Sequence, residues 1–298
     1  MSNIILIADL HLSDLRPVAR QDKNWFKAMA RPLEFLDNLS VDYNAPVICA
    51  GDVFDRWKAS PELISFAIKY LKRFNHRFLS IAGQHDQPQH NMELLRKSAY
   101  TTLMKAGAIT HLTGNEYRNI GDFKVISFSY GEDPPKEIEA DIMVMHRMVW
   151  NGRPPYPGAP SEGNARLVLK EFPNVKLIVT GDNHKPFTYT EHVGQTILNC
   201  GSVMRMDADQ IDYKPAAWVW DGKKLTQEYF PIDEDVLTRT HIDNEKERDN
   251  RIEEFIAKIS NSKFASGLSF ETNLKRWLET NHISKEIEQI LYQAMENV

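Results

Sequence analysis

The fold is decided by the opening stretch Ile4-Ile5-Leu6-Ile7-Ala8-Asp9-Leu10-His11, in which an uninterrupted apolar run leads straight into polar side chains. A short β-branched run of this kind is typical of a strand that is buried on both faces. Runs with the same composition recur along the chain. We predict strands over residues 4–8, 47–50, 78–82, 124–128, 142–145, 177–180, 196–200 and 216–220.

Segments with helical spacing separate the first of these runs. In residues 25–39, four apolar side chains recur on one helical face: Phe26, Met29, Leu33 and Leu36. Residues 61–74 and 91–106 show similar spacing, and Pro61 suits the first turn of a helix. Strand and helix alternate, which indicates an α/β layered core. Because strands and turns crowd together after about residue 107, we predict a two-sheet α/β sandwich.

Composition places the chain among globular proteins. Of its 298 residues, 42% are hydrophobic and 26% are charged, which excludes disordered, collagen-like and coiled-coil proteins. From about Val236 the sequence becomes charge-rich and helical, with predicted helices over residues 243–259, 270–281 and 284–298. We therefore predict a main domain over residues 1–235. A small helical C-terminal appendage over residues 236–298 is expected to serve as a cap or a partner-binding region.

Net charge, hydropathy and the two cysteines limit which partners and which cellular compartment we expect. The net charge of −5, from 36 basic and 41 acidic side chains, argues against a protein that coats nucleic acid indiscriminately. The apolar start has no basic residue before it, and no later stretch reaches the roughly 20 apolar residues of a membrane span. Cys49 and Cys200 each end an apolar run before a glycine, which indicates buried strand ends rather than a disulfide. We expect a cytoplasmic protein without a membrane partner.

Potential metal ligands directly follow five of the predicted strands. They are four of the ten histidines and three aspartates: Asp9, His11, Asp52, His85, His146, Asp182 and His184. Any one of them alone would pass for an ordinary turn residue. Because the carboxyl ends of strands in an open α/β sheet meet at one rim, we expect them to converge. Imidazole and carboxylate together suit first-row divalent metals, and a carboxylate shared by two ions about 3.5–4 Å apart is typical of two-metal hydrolases.

The ordered motifs resemble those of a known family. The chain carries Asp9-Leu-His11, Gly51-Asp-Val-Phe-Asp55, Gly83-Gln-His-Asp86, the lone His146 and Gly181-Asp-Asn-His184. Over residues 1–230 this order resembles the calcineurin-like metallophosphoesterases, whose pattern is D-x-H, GDxxD, GNH(D/E), a lone H and GHxH. Within that superfamily the chain is most similar to the SbcD-type exonuclease subunit of recombination-repair nucleases. The narrower likeness depends on Gly181-Asp-Asn-His-Lys-Pro186, Gly201-Ser-Val-Met-Arg205, Asp209 and Lys214-Pro215.

The resemblance implies a role for each motif residue. It assigns the first metal ion to Asp9, His11, Asp52 and His184. It assigns the second ion to Asp52 as the bridge, with Gln84, His146 and Asp182. His85 then lies beside the scissile phosphate, where it protonates the leaving oxygen or stabilises its charge, and Asp86 orients the His85 ring.

Two departures from the family pattern fall on the same ion. Gln84 stands where the family has asparagine, and Asp182 stands where it has the first histidine of GHxH. Both changes favour hard oxygen ligands, so we expect Mn²⁺ as the cofactor, with Mg²⁺ as the alternative. A degenerate second site in a non-catalytic metal-binding module is the other interpretation. Since glutamine and aspartate are still competent ligands, the active interpretation is favoured.

Three further side chains lie close to predicted ligands in the sequence. Arg147 and Arg205 are candidate substrate contacts that could meet phosphates, although an arginine at a strand end is more often part of a surface ion pair. Asp55 is expected to support a loop or a ligand histidine.

Three functions remain open from the residues. The first is a manganese-dependent DNA nuclease, with DNA, an SbcC-like coiled-coil ATPase subunit and a second copy of the chain as expected partners. The second is a stand-alone phosphatase or phosphodiesterase that acts on small phosphoesters or phosphoproteins. The third is the non-catalytic module. The Lys185-Pro186 and Gly201–Arg205 stretches favour the nuclease, whereas the negative net charge counts slightly against a duplex binder that acts alone.

Overall fold

In the computed structural model of the chain, the opening apolar run forms strand β1 (Ile4–Ile7), whose four residues are all buried. The structure describes residues 2–75, 77–156, 159, 161–191, 194–233, 236–240, 251–252, 270–281, 283–285, 287 and 289–291. The chain divides into two compact units, residues 1–238 and residues 239–298.

The first sheet has six strands around β1. The others are β2 (Val47–Cys49), β3 (Phe78–Ser80), β4 (Thr110–His111), β11 (Ala216–Trp220) and β12 (Leu225–Tyr229). Their order is β12-β11-β1-β2-β3-β4, with β1 to β4 parallel to one another and β11 antiparallel to β1. The carboxyl ends of β1, β2 and β3 therefore meet at one edge.

The second sheet also has six strands. They are β5 (Arg118–Ile120), β6 (Phe123–Phe128), β7 (Glu139–His146), β8 (Asn174–Gly181), β9 (Phe187–Thr190) and β10 (Thr196–Asn199). Their order is β5-β6-β7-β8-β10-β9, and the four inner strands are parallel. The antiparallel strands β5 and β9 form the two edges.

The side chains of β1 explain why the two sheets stack. Ile4 and Leu6 belong to an apolar cluster that also contains Val144 of β7 and Val179 of β8. Ile5 and the other odd-numbered residues of β1 point to the opposite face, into a cluster shared with the helices. This period of two buries both faces of the strand and confirms the predicted two-sheet α/β sandwich.

Helices cover the outer faces of the sheets. They are α1 (Trp25–Asp42), α2 (Pro61–Leu71), α3 (Ala99–Lys105) and α4 (Ala165–Glu171). The predicted continuous helix over residues 91–106 is wrong, because a 3₁₀ helix (Met92–Lys97) ends before α3 begins. The hydroxyl of Ser98 accepts a hydrogen bond from the backbone N–H of Thr101, and this cap starts a new helix.

Several short elements were not predicted from hydropathy. Strands β4, β5, β9 and β12 and helix α4 have no counterpart among the predictions. The residues of β9 and β12 are partly or fully exposed, so their sequences lack the continuous apolar run that marks a buried strand.

The second unit contains the helix Phe270–Thr280, which agrees with the prediction over residues 270–281. The predicted helix 243–259 lies outside the described residues except for 251–252, and much of 284–298 lies outside them as well. No helix in the described ranges combines the length and the apolar character that crossing a membrane requires.

Candidate metal centre

The loops after β1 and β2 hold their polar side chains in an uncommon backbone conformation. Asp9, His11 and Asp52 have φ angles of 54°, 46° and 52°, and Asp182 after β8 has a φ of 79°. The backbone N–H of Asp9 donates to the carbonyl oxygen of Gly51, and that of His11 donates to the carbonyl oxygen of Asp52. Left-handed residues other than glycine are rare, and they concentrate at functional sites.

The first cluster of metal-binding atoms contains Asp9, His11 and His184, whose donor atoms all lie within 4.8 Å of one another. The Nε2 atoms of His11 and His184 are 3.0 Å apart. Burial lowers the pKa of His11 to about 3 and also lowers the pKa of His184. Both rings are therefore neutral at pH 7, which is the form that binds metal ions.

The second cluster contains Asp9, Asp52 and His146 within the same distance limit. Asp52 Oδ2 lies 3.3 Å from His146 Nε2, and neither atom makes a hydrogen bond within the described part of the chain. His146 Nδ1 lies 2.6 Å from the carbonyl oxygen of Ala50, so that nitrogen carries the proton and Nε2 is left as the donor to a metal. Buried polar atoms without partners are rare, and a cation between them would satisfy both.

Asp52 also reaches the first cluster. Its Oδ2 is 3.9 Å from His11 Nε2, whereas its Oδ1 accepts a hydrogen bond from the backbone N–H of His85 at 2.9 Å. One carboxylate oxygen is thus anchored to the protein and the other faces histidines of both clusters. This is the arrangement expected of a bridging ligand.

The charges of the Asp52–His146 pair are coupled. Burial opposes the charged form of His146, but the negative charge of Asp52 outweighs it and raises the pKa of His146 to about 10. Burial likewise opposes the charge of Asp52, but His146 keeps the pKa of that carboxyl below its ordinary value. Burial raises the pKa of Asp9 well above its usual range. A divalent cation that binds here therefore displaces a proton.

The two residues that depart from the family pattern contact each other. The amide nitrogen Nε2 of Gln84 donates to Asp182 Oδ1 at 2.5 Å. Gln84 Oε1 is buried and has no hydrogen-bond partner among the residues that the structure describes. The backbone N–H of Asp182 donates to both carboxylate oxygens of Asp9, at 3.1 and 3.2 Å.

Glycines allow the backbone to approach these ligands closely. A Cβ atom at Gly83 would lie 2.0 Å from Asp52 Oδ1, and a Cβ atom at Gly51 would lie 2.3 Å from His146 Nδ1. Gly51 also has a φ of 98°, which side chains disfavour. Both glycines belong to the motifs of the sequence, but the side chains that they accommodate are visible only in the fold.

His85 lies at the edge of the cluster, as its place in the sequence indicates. Its side chain is 41% exposed, and its Nε2 is 4.0 Å from Asp52 Oδ2. Its Nδ1 lies 2.8 Å from the carbonyl oxygen of Asp55. The expectation that Asp86 orients this ring is wrong. Asp86 is fully buried and accepts backbone N–H groups instead, from Val53, Phe54 and Gly83.

The Asp86 carboxylate therefore links the loop that carries Asp52 to the loop that carries Gln84. The carbonyl oxygen of Asp55 orients the His85 ring. Burial raises the pKa of Asp86 to about 7, against the effect of its three backbone donors. Asp55 Oδ1 lies 3.8 Å from His11 Nδ1, which is too far for a hydrogen bond, so the supporting role expected of Asp55 stays a prediction.

The structure gives both candidate substrate arginines protein partners. Arg147 pairs with Glu171 at 3.2 Å and donates to the carbonyl oxygen of Glu162. Arg205 is 3% exposed and donates to the carbonyl oxygens of Ile211 and Asp233. The guanidinium of Arg205 holds a loop in the interior, and contact of either arginine with substrate stays a prediction.

Tyr130 is a neighbour of the site that the sequence analysis missed. Its ring centroid is 6.4 Å from that of His146 and 6.2 Å from that of His90, whose own ring is 6.4 Å from His85. Tyr130 comes two residues after the end of β6. The sequence could have indicated Tyr130, because predicted metal ligands stand at the ends of β7 and β8, which run parallel to β6.

A comparison with protein-family profiles agrees with this arrangement. Residues 2–186 match the sequence profile of the calcineurin-like phosphoesterases. No curated protein is similar enough to match the chain. Among solved structures, the chain resembles TT1561 of Thermus thermophilus at 12% identity, over 76% of this chain and 98% of that one, with a TM-score of 0.46.

Two nucleotidases show a similar level of likeness. The NAD nucleotidase NadN of Haemophilus influenzae is 13% identical over 76% of this chain and 49% of its own, with a TM-score of 0.43. The 5'-nucleotidase precursor of Thermus thermophilus is 13% identical over 80% of this chain and 55% of its own, with a TM-score of 0.42. The chain thus spans about half the length of these two proteins.

Proposed function

This chain belongs to the calcineurin-like phosphoesterase family, and we propose that it is a DNA nuclease that hydrolyses phosphodiesters with two divalent ions. The observation that carries this proposal is the position of Asp52. Its Oδ2 lies 3.3 Å from His146 Nε2 in one donor cluster and 3.9 Å from His11 Nε2 in the other. A carboxylate oxygen in this position can be shared by two ions.

The donor set fits divalent metal ions. Asp52 Oδ2, Gln84 Oε1 and His146 Nε2 are all buried without hydrogen-bond partners among the described residues. When bound, divalent ions polarise the phosphate and lower the pKa of a coordinated water. We expect Mn²⁺ to serve best, with Mg²⁺ as the alternative, because Asp182 removes a histidine nitrogen from the second site and Gln84 supplies an amide oxygen there.

His85 is the side chain that we assign to the leaving group. Its Nδ1 is engaged by the carbonyl oxygen of Asp55, so the ring cannot turn freely and Nε2 is the atom presented to a substrate. In its protonated form, Nε2 can give a proton to the leaving oxygen or donate a hydrogen bond to it. The partial exposure of the ring is consistent with access to a bulky substrate.

Local positive charge supports DNA as the substrate. Lys185 directly follows His184, its side chain is 81% exposed, and its Nζ lies 3.7 Å from the exposed carboxylate of Asp209. Arg56 directly follows Asp55, its side chain is 80% exposed, and its Nε lies 3.7 Å from Asp55 Oδ2. Although the net charge is −5, cations at these positions can meet the phosphates that flank a scissile bond.

The partner proposals follow from the resemblance to SbcD-type subunits. We assign binding of an SbcC-like coiled-coil ATPase to the C-terminal unit, residues 239–298. A second copy of the chain is the other proposed protein partner, and the cytoplasm is the proposed location. Size-exclusion chromatography with light scattering, on the chain alone and mixed with such an ATPase, tests both partners.

A cleavage assay tests the nuclease. Labelled single-stranded and duplex DNA are incubated with the protein and Mn²⁺, Mg²⁺ or Zn²⁺, beside a chromogenic phosphodiester. Asp52→Asn protein, purified in the same way, controls for contaminating nucleases. We expect DNA cleavage with Mn²⁺ that the variant lacks. Turnover of the small ester alone would support a stand-alone phosphodiesterase, and metal binding without any turnover would support a non-catalytic module.

A further inference from the structure

We infer that Asp182 acts on the second metal ion through Gln84: it holds the Gln84 amide with its oxygen turned to the ion, and it does not bind the ion itself. Asp182 is then a positioning residue, and the protein ligands of the second ion are Asp52, Gln84 and His146. The inference rests on the two-ion site of the proposed function, and it changes the role that the family pattern gives to position 182.

The first support is the hydrogen bond between the two side chains. Gln84 Nε2 and Asp182 Oδ1 are 2.5 Å apart. A carboxylate accepts hydrogen bonds and an amide nitrogen donates them, so the nitrogen end of the Gln84 amide has to face Asp182. The opposite end, Oε1, is thereby directed away from Asp182.

The second support is the state of that oxygen. Gln84 Oε1 is buried and makes no hydrogen bond within the described ranges, as is also true of Asp52 Oδ2 and His146 Nε2. Leaving a buried acceptor unsatisfied is destabilising. An ion that binds Asp52 and His146 would satisfy Gln84 Oε1 as a third donor.

The third support is the position of Asp182 itself. The groups of mutually close acidic and histidine donors among the described residues include Asp9, Asp52 and His146 but leave Asp182 out. Its backbone N–H donates to both carboxylate oxygens of Asp9, and its φ is 79°. Asp182 therefore donates a backbone hydrogen bond to Asp9 and accepts a side-chain hydrogen bond from Gln84.

This pairing explains why the two departures from the family pattern occur together. Glutamine has one methylene more than asparagine, which lets its amide reach across to position 182. Aspartate supplies an acceptor for that amide, which a metal-bound histidine would not. A second ion held by Asp52, Gln84 and His146 would have three protein ligands and could still bind a phosphate oxygen of a substrate.

Titration of the metal-free full-length protein with Mn²⁺ by calorimetry tests the inference. We compare the parent, Asp182→Ala, Gln84→Asn and the double variant. In the parent background, Asp182→Ala should weaken the second Mn²⁺ equivalent by about 10–100-fold, the usual effect of losing an outer partner of a ligand. In the Gln84→Asn background the shorter amide no longer reaches position 182, so the same change should cost less than about threefold.

An equal loss in both backgrounds would overturn the inference, because a direct ligand acts whatever stands at position 84. A parent that binds only one equivalent would overturn the two-ion site and the pairing together. Two bound Mn²⁺ ions with the expected coupling, but no DNA cleavage, would leave the pairing intact and refute the nuclease.

A spectroscopic measurement tests whether position 182 coordinates the ion directly, independently of metal affinity. Asp182→Cys and Asp9→Cys each place a thiol where a carboxylate stood, and the loaded proteins are compared with the parent in Co²⁺. Thiolate bound to Co²⁺ produces a near-ultraviolet charge-transfer band. We expect the band in Asp9→Cys and not in Asp182→Cys. Its appearance in Asp182→Cys would show direct coordination and overturn the inference.

Discussion

Asp52 and His146 face each other across 3.3 Å, from Oδ2 to Nε2, and neither atom has a hydrogen-bond partner in the part of the chain that the structure describes. The same carboxylate oxygen lies 3.9 Å from His11 Nε2, so its negative charge is close to the donor atoms of both clusters. The site is therefore most sensitive to the loss of this one charge.

Asp52→Asn should lose both metal equivalents and all hydrolysis. The amide keeps the size of the side chain but removes the negative charge that two cations share. Metal analysis after gel filtration, on protein loaded with Mn²⁺, gives the result. Asp14→Asn, an exposed aspartate of the same half of the chain, is the matched control. Retention of two equivalents by Asp52→Asn would mean that another residue bridges the ions.

Mn²⁺ binding should release protons and become tighter as the pH rises. The pKa of His146 is raised to about 10, so this ring is protonated in metal-free protein at pH 8, and Mn²⁺ has to displace the proton. We expect affinity to rise about tenfold per pH unit between pH 7 and 9. Calorimetry in buffers of different ionisation enthalpy counts the protons, and a pH-independent affinity would contradict the prediction.

The same pKa shift has a consequence for the stability of the metal-free protein. The folded-state pKa of His146 lies above its ordinary value of 6.5. The stability that the pair contributes is therefore fully present below about pH 6.5 and is lost as the pH rises toward 10. Chemical denaturation in the presence of a chelator, repeated across this range, measures the loss.

His85→Asn should lower turnover by about 10²–10⁴-fold while leaving both metal equivalents in place, because His85 is placed to act on the substrate. Turnover and metal content are measured on the same preparation. His90→Asn, an exposed imidazole further along the same loop, is the control. Loss of a metal equivalent in His85→Asn would show that this ring is a ligand.

Gly83→Ala should weaken Mn²⁺ binding at the second metal site. The added methyl group would lie 2.0 Å from Asp52 Oδ1, so either the loop or the carboxylate has to move. We expect a loss of stability of about 1–3 kcal/mol and weaker Mn²⁺ binding. Gly131→Ala is the control for backbone strain away from the site, because its φ of 82° disfavours a side chain but a Cβ atom there meets nothing within 4 Å. Equal Mn²⁺ affinity in the two variants would refute the steric argument.

A chain that ends at Thr238 should keep its metals and its turnover of a small phosphodiester, and should lose binding of the proposed ATPase. Residues 236–238 belong with the first unit, since Val236 accepts from the backbone of Gln21 and Thr238 donates to Ala19. A chain that ends at Pro231 should be less stable, because Arg205 loses its acceptor on Asp233. Thermal denaturation and metal content distinguish the two.

Much of the fold could be predicted from local sequence. The apolar run of β1 and the helical spacing of α1 each reflect a period that the backbone imposes on its own neighbours. Exposed edge strands such as β9 and β12 could not be predicted, because hydrogen bonds to a partner strand make them strands, whereas their own hydropathy does not. The helix break at Ser98 was missed because a single capping hydroxyl outweighs the apolar spacing around it.

The sequence by itself determined which residue types follow each strand, and the parallel order of β1 and β2 places Asp9 and Asp52 at one edge of the first sheet. The stacking of the two sheets brings His146, the last residue of β7, to them. Only the tertiary structure decided what each side chain contacts there. Asp86 turns to backbone amides instead of His85, and Gln84 turns its amide nitrogen to Asp182. These partners are tens of residues apart in the chain, so their contacts depend on the packing of separate strands and loops, which local sequence patterns do not record.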